Sequence, residues 1–201
     1  RRTDIALPSD QRELLLQVRQ ALAPQQLERP RVGVIVPVRC SREFPPLKWT
    51  KQLRRCFEQV RGVKVYIGVD EDDELWQRDH ESEARRGLDD LPYTLCEFAP
   101  SEPAAVCRIW ASLARKAFDD GCSYFVLWGD DVSVEPADRW FSQVEAKLSA
   151  SELGCVAPRD ESDPSLATFP IVTMRHFQVY GRLFPKEVGN QDADPYLFEL
   201  Y

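Results

Sequence analysis

The sequence predicts an α/β sandwich, with a mainly parallel central sheet and helices on both faces. Three observations carry this. Apolar runs of strand length alternate with amphipathic stretches of about ten to fifteen residues, the rhythm that parallel βαβ units require. The runs VGVIV, Val32 to Val36, and YFVLW, Tyr124 to Trp128, are apolar at nearly every position, as strands buried on both faces are. Charged residues gather just beyond such runs, at Arg39, Asp70 and the adjacent pair Asp130 and Asp131. Ligands of open α/β sheets bind beyond the carboxyl ends of the strands, so these distant residues are expected along one edge.

The elements follow in order. Gln11 to Ala23 carry Leu14, Leu15, Val18 and Leu22 at helical spacing, with Ser9 or Asp10 as cap and Pro24 as stop. This predicts a peripheral helix within an N-terminal extension, residues 1–30, ahead of a main domain over 31–201. Val32 to Val36 read as a central strand that Pro37 ends by removing a ladder donor. Lys48 to Val60 read as a helix with Leu53, Cys56, Phe57 and Val60 inward and Gly62 after its end. VKVYIGVD alternates, with Val63, Val65, Ile67 and Val69 on one face, and ends at Asp70. A helix is expected from Leu75 to Arg86, where the acidic run to Glu74 suits its amino end and Asp72 or Asp73 caps it.

YTLCEF reads as a short strand near an edge. Ala104 to Phe118 is a broad amphipathic helix through Val106, Ile109, Trp110, Leu113 and Ala117, and leads into Tyr124 to Val132. Trp140 to Leu148 is helical, GCVAP and PIVTM are short strands, and Arg159 to Pro164 is a polar loop. The chain ends in a Gly/Asn loop and a helix for which Asp194 is the expected N-cap and Pro195 the first residue.

Composition narrows the function. At 201 residues, with 43% hydrophobic and 29% charged side chains, the chain suits one globular domain with a sizeable core. A net charge of −7 argues against a nucleic acid as main partner, since phosphate backbones need a clustered basic surface. No apolar run is long enough for a transmembrane segment or a signal peptide. The six cysteines are scattered without a CxxC pair, which disfavours zinc and fits buried thiols in a reducing, cytoplasmic setting. A Golgi-lumen enzyme separated from its anchor would read the same way. The start at Arg1 and the stop at Tyr201, inside a helical stretch, are expected of a domain cut from a longer protein with other domains.

The pair Asp130 and Asp131 is the chemical focus. Adjacent carboxylates repel, and a fold tolerates them where water or a cation neutralises them. A divalent metal and a solvated turn are both consistent with Gly129, Asp130 and Asp131 after a strand.

VGVIVPVRC, VYIGVDEDD, YFVLWGDDV and GNQDADPYLFELY, in this order from Val32 to Tyr201, resemble the glycosyltransferases of the GT-A fold, closest in style to family 2. The resemblance implies a GT-A-like, Rossmann-type sandwich, with a nucleotide-sugar-binding half over 31–135 and an acceptor-side half over 136–201. It implies a metal-dependent, inverting transfer from a nucleotide-diphosphate sugar, a UDP-sugar first, to a hydroxyl of a carbohydrate or glycoconjugate acceptor. Asp131 matches the metal-binding position of the DxD motif for Mn²⁺ or Mg²⁺, and Gly129 replaces its first aspartate. Asp70 and Asp72 match the donor side, with Asp130 facing the ribose or a metal-bound water and Arg39 facing the diphosphate or base. Asp194 matches the general base, with Asp192 as its neighbour and substitute.

Other residues are assigned more loosely. His176, in TMRHFQVYG, is a candidate metal or diphosphate ligand, though a lone histidine after a strand also serves packing. Asn190, Tyr196 and Phe184 fall on the presumed acceptor side, the two rings as platforms for a sugar. Arg108 reads as a solvated helix position, and Trp110, Trp128 and Trp140 as core. Two alternatives stay open: a nucleotidyltransferase, disfavoured because PVRCSREF is no glycine-rich triphosphate loop, and a degenerate non-catalytic nucleotide- or sugar-binding module, favoured by Gly129.

Overall fold

A computed structural model describes residues 31–39, 45–73, 76, 81–99, 106–132, 135–136, 139–150, 153–161, 164, 168–189 and 192–201. The expected helix from Gln11 to Ala23, with the rest of 1–30, lies outside these residues. In chain order the elements are β1 (Val32–Val38), α1 (Pro46–Phe57), β2 (Val63–Asp70), α2 (Glu81–Leu88), β3 (Tyr93–Phe98), α3 (Val106–Asp119), β4 (Tyr124–Leu127), α4 (Trp140–Ser149), β5 (Cys155–Val156), β6 (Ile171–Thr173), α5 (Met174–Tyr180) and α6 (Ala193–Leu200).

The strands form one six-stranded sheet in the order β3-β2-β1-β4-β6-β5. β3, β2, β1 and β4 are parallel, while β6 runs antiparallel to both β4 and β5. The chain therefore leaves β1 toward β2 and β3, then returns to the other side of β1 as β4. That reversal makes the crevice between β1 and β4 a topological switch point, where α/β sheets bind ligands. β4 pairs with β6, so the expected halves 31–135 and 136–201 share this sheet.

Side chains alternate along the strands and build a core on each face. One packs Val34, Val36, Val65 and Ile67 against Leu53 and Phe57 of α1, Leu88 of α2 and Phe141 and Leu148 of α4. The other packs Ile35, Phe125, Leu127 and Val172 against Leu113 and Ala117 of α3, Phe177 of α5 and Leu197 of α6. Each buried Val, Ile, Leu or Phe among them contributes roughly 1.5–3 kcal/mol. Two cores of this kind can hold mutually repelling carboxylates at the sheet edge. α3 lies close because Gly68 faces it: a Cβ there would meet Ile109 Cγ2 at 2.5 Å.

Several expected boundaries shift. β1 continues through Pro37 to Val38. Along β1, Arg31 O accepts from Tyr124 N and Ile35 O from Trp128 N, so alternate residues address β4. Pro37 is next in that series, and the β4 ladder has already ended beside it, so its missing N–H costs no ladder bond. The helix after β2 is described over Glu81–Leu88, and the expected start at Leu75 lies outside the described residues. PIVTM supplies β6, whose antiparallel direction departs from the expected parallel rule. The last helix starts at Ala193, which places Asp194 inside its first turn instead of at the cap. Among the described residues, no helix is long and apolar enough to cross a membrane.

Candidate active site at the carboxyl edge of the sheet

Beyond Pro37, the alternation of β1 brings Arg39 to the β4 side. Its backbone N–H donates to Asp130 Oδ2 at 3.1 Å. A side-chain carboxylate thus takes the place that a β4 carbonyl would hold in a longer ladder. Upstream, Trp128 N donates to Ile35 O at 3.1 Å, and the Trp110 indole of α3 donates to Trp128 O at 3.4 Å. The motif leaves the sheet from a point clamped by a strand and a helix.

Gly129 has a steric role in this geometry. A Cβ on it would lie 2.6 Å from Asp131 Oδ1, 3.0 Å from Phe169 Cε1 and 3.1 Å from Val132 Cγ2. The Asp131 carboxylate folds back over the glycine, into space that an aspartate at 129 would need. Asp131 is exposed and Asp130 is half-buried. Burial pushes the Asp130 carboxyl up to about 6; the Arg39 N–H opposes the shift, and the charges of Asp131 and Asp73 add to it.

Asp70 ends β2, half-buried, and its carbonyl accepts the Asp73 N–H at 3.0 Å. That turn exposes Asp72 and returns Asp73 toward the motif. Asp73 Oδ1 also accepts the Trp76 N–H at 3.0 Å. Local pattern marks Asp73 only as a cap; the effect of its charge on Asp130 depends on the switch-point topology, which local pattern does not encode. Among the described residues, no three His, Cys, Asp or Glu side chains form a metal-binding group. Asp131 with Asp130 fits a Mg²⁺- or Mn²⁺-type site that takes one or two carboxylates and completes its shell with substrate phosphates and water.

Asp194 joins this region through Phe169. The Phe169 N–H is hydrogen-bonded to the Asp194 carboxylate, and the Phe169 ring borders Gly129. Phe169 adopts φ +50°, a left-handed conformation costly for an aromatic residue, at roughly 1–3 kcal/mol. Asp194 Oδ1 is buried and makes no hydrogen bond among the described residues. Burial pushes this carboxyl up to about 6, with the Asp160 charge adding and the Phe169 N–H opposing. Asp160, held by Thr168 Oγ1 at 2.9 Å, is a second acidic neighbour that its polar loop did not single out. Asp192 occupies the N-cap position of α6, is exposed and makes no side-chain cap bond.

His176 lies elsewhere. β6 is antiparallel and Thr173 pairs with Tyr124, so α5 starts from the amino end of β4, at the sheet edge opposite the aspartates. His176 is 1% exposed; its Nδ1 meets Tyr201 Oη at 2.6 Å, and its Nε2 lies 3.1 Å from the carbonyls of Arg182 and Leu183. These contacts make it a packing residue and remove it from the site. Phe184 is 4% exposed, so its ring is core, and the half-buried Tyr196 packs edge-on against it at 6.2 Å. Trp110 and Trp128 are core as expected. Asn190 lies outside the described residues.

No protein-family model matches the chain, and no curated protein matches it in sequence. Its fold is shared with solved glycosyltransferases. TarS of S. aureus, residues 1–349, aligns over 85% of this chain and 55% of its own, at TM-score 0.60 and 11% identity. The mannosyltransferase PcManGT of Pyrobaculum calidifontis, in complex with GDP-Man and Mn²⁺, aligns over 90% of this chain and 57% of its own, at TM-score 0.57 and 18% identity. The chain thus spans about half the length of these two matched chains, and a third of the longer TarS chain. At such identities the shared feature is the fold, the expected GT-A-like α/β sandwich.

Proposed function

We propose that this chain is the catalytic domain of a metal-dependent, inverting glycosyltransferase that moves a sugar from a nucleotide-diphosphate donor to a hydroxyl acceptor. One observation carries the reading: Phe169 holds the Asp194 carboxylate while its ring borders Gly129, so a candidate base and the Asp130–Asp131 motif share one wall. The mannosyltransferase with GDP-Man and Mn²⁺ supports a nucleotide sugar and a divalent cation, and makes GDP a candidate nucleotide beside UDP.

In this mechanism Asp70 and Asp72, at the end of β2, contact the nucleoside, and Arg39 faces the diphosphate across the switch point. Asp131 is the metal ligand, with Asp130 facing the ribose or a metal-bound water. When bound, Mn²⁺ or Mg²⁺ neutralises the diphosphate and stabilises it as leaving group. Asp194 accepts the proton of the acceptor hydroxyl on its carboxylate. The acceptor oxygen forms a bond to the anomeric carbon from the face opposite the diphosphate, and the bond from that carbon to the diphosphate oxygen breaks. A raised pKa suits Asp194 to this work, because a base nearer neutrality holds the transferred proton better.

A non-catalytic binding module is the second reading, favoured by Gly129, which stands in place of the first aspartate of the motif. A screen of nucleotide sugars for Mn²⁺-dependent hydrolysis separates the two without a known acceptor. The transferase consumes one donor; a module binds nucleotide and consumes none.

A further inference from the structure

A groove of about 760 Å³ runs along α3, away from the base. The half-buried Ala111, Pro185 and Val188 supply an apolar floor, with Cys107 and Phe184 beneath it, and Arg108, Arg115 and Lys186 supply cations. In a chain of net charge −7, cations gathered on an apolar floor are a local inversion. The Cys107 end of the groove is tied to the start of α6 through Gly189, whose carbonyl also accepts the Asp192 N–H at 3.2 Å. Cys107 Sγ donates to Gly189 O at 2.8 Å, and the charges of Asp194 and Asp192 reach the Cys107 thiol and help burial to raise its pKa to about 11.

Accepting the transferase reading above, we infer that this groove seats the non-reacting part of an extended anionic acceptor, a carbohydrate chain with repeated phosphate or carboxylate groups. Arg108 and Arg115 are seven residues apart on one helix, about 10 Å along its axis, so they address successive anions instead of clamping one. Arg108 and Lys186 are exposed at the mouth. Arg115 shares its charge with Asp119 at 2.9 Å, which makes it the weaker of the two arginine contacts. The apolar floor suits the hydrophobic faces of sugar rings. The acidic groups at the Cys107 end, Asp192 and Asp194, disfavour an anion there and fit a neutral hydroxyl, which sets the polarity of the bound chain.

The test measures binding of an oligogalacturonate, a phosphate-bearing oligosaccharide and a neutral maltooligosaccharide by calorimetry at low salt, without donor. The inference expects one anionic oligomer to bind at least about tenfold more tightly than the neutral one, with affinity falling as salt rises. The charged oligomer that binds identifies the source of the anion. In the Arg108→Glu, Lys186→Glu double variant that affinity drops about tenfold or more while the thermal melting temperature is unchanged. Equal binding of neutral and anionic oligomers, or binding unaffected by the double variant, overturns the inference. With donor and Mn²⁺ present, the bound oligomer raises donor consumption above hydrolysis in the wild type. An oligomer that binds and leaves consumption at the hydrolytic rate overturns its assignment as acceptor. Absence of all donor consumption defeats the transferase reading instead.

Discussion

The Arg39 backbone N–H donates to Asp130 Oδ2 at 3.1 Å, joining residues 91 positions apart across the point where the sheet reverses direction. This bond continues the alternation of β1 past the end of β4, and it aims the Asp130–Asp131 pair at the crevice.

Gly129→Ala tests the seating of Asp131. Its Cβ would fall 2.6 Å from Asp131 Oδ1, so the carboxylate must swing away. We expect Mn²⁺-dependent nucleotide binding to weaken about tenfold, with a loss of melting temperature of only a few degrees. Titration calorimetry checks this, and undiminished binding would show that the folded-back carboxylate is not the binding geometry.

Asp194→Ala should leave donor affinity within about twofold and reduce turnover by roughly 10²- to 10⁴-fold. Donor binding and hydrolysis measured on the same preparation separate the two effects. Near-normal turnover would leave Asp194 with a structural role at α6.

The pH dependence follows from the same group. The folded-state pKa of Asp194, about 6, lies above the ordinary aspartate value of 3.8. The folded protein therefore holds this proton longer than the unfolded chain, and the group's contribution to stability falls as pH rises from about 4 to 6, then levels. Asp194→Asn removes the decline, so its melting temperature should exceed that of the wild type by about 2–5 °C at pH 7.5 and by little at pH 4. Turnover of the wild type should instead rise through pH 6 as the base ionises. A melting difference independent of pH would contradict the assignment.

His176→Ala should lower the melting temperature by several degrees, because the ring bridges Tyr201 and the carbonyls that precede Phe184. Its effect on kcat should stay within about threefold. A loss of activity in a variant of normal stability would return His176 to the site.

The legible parts of the sequence are those whose pattern is local. The alternation of Val63, Val65, Ile67 and Val69 marks β2, and the apolar runs mark β1 and β4. The stripe from Ile109 to Ala117 marks α3, and the strand-end positions put Arg39, Asp70 and Asp130 on one edge. Features set by neighbours were not legible. Ile171 to Thr173 form too short a strand to show direction, so the antiparallel β6 and the consequent removal of His176 came only with the fold. Pro37 passes within β1 because β4 stops short, a fact about another strand. The approach of Asp73 to Asp130, and the hold of Phe169 on Asp194, likewise join segments with no shared local signal.

The central claim is a metal-dependent nucleotide site at Asp131, and calorimetric titration of UDP, GDP and dTDP, each with and without Mn²⁺, tests it most directly. One nucleoside diphosphate should bind the wild type with Mn²⁺, and Asp131→Asn should weaken that binding about 100-fold or more. Binding of equal strength without Mn²⁺, or unchanged in Asp131→Asn, would contradict it.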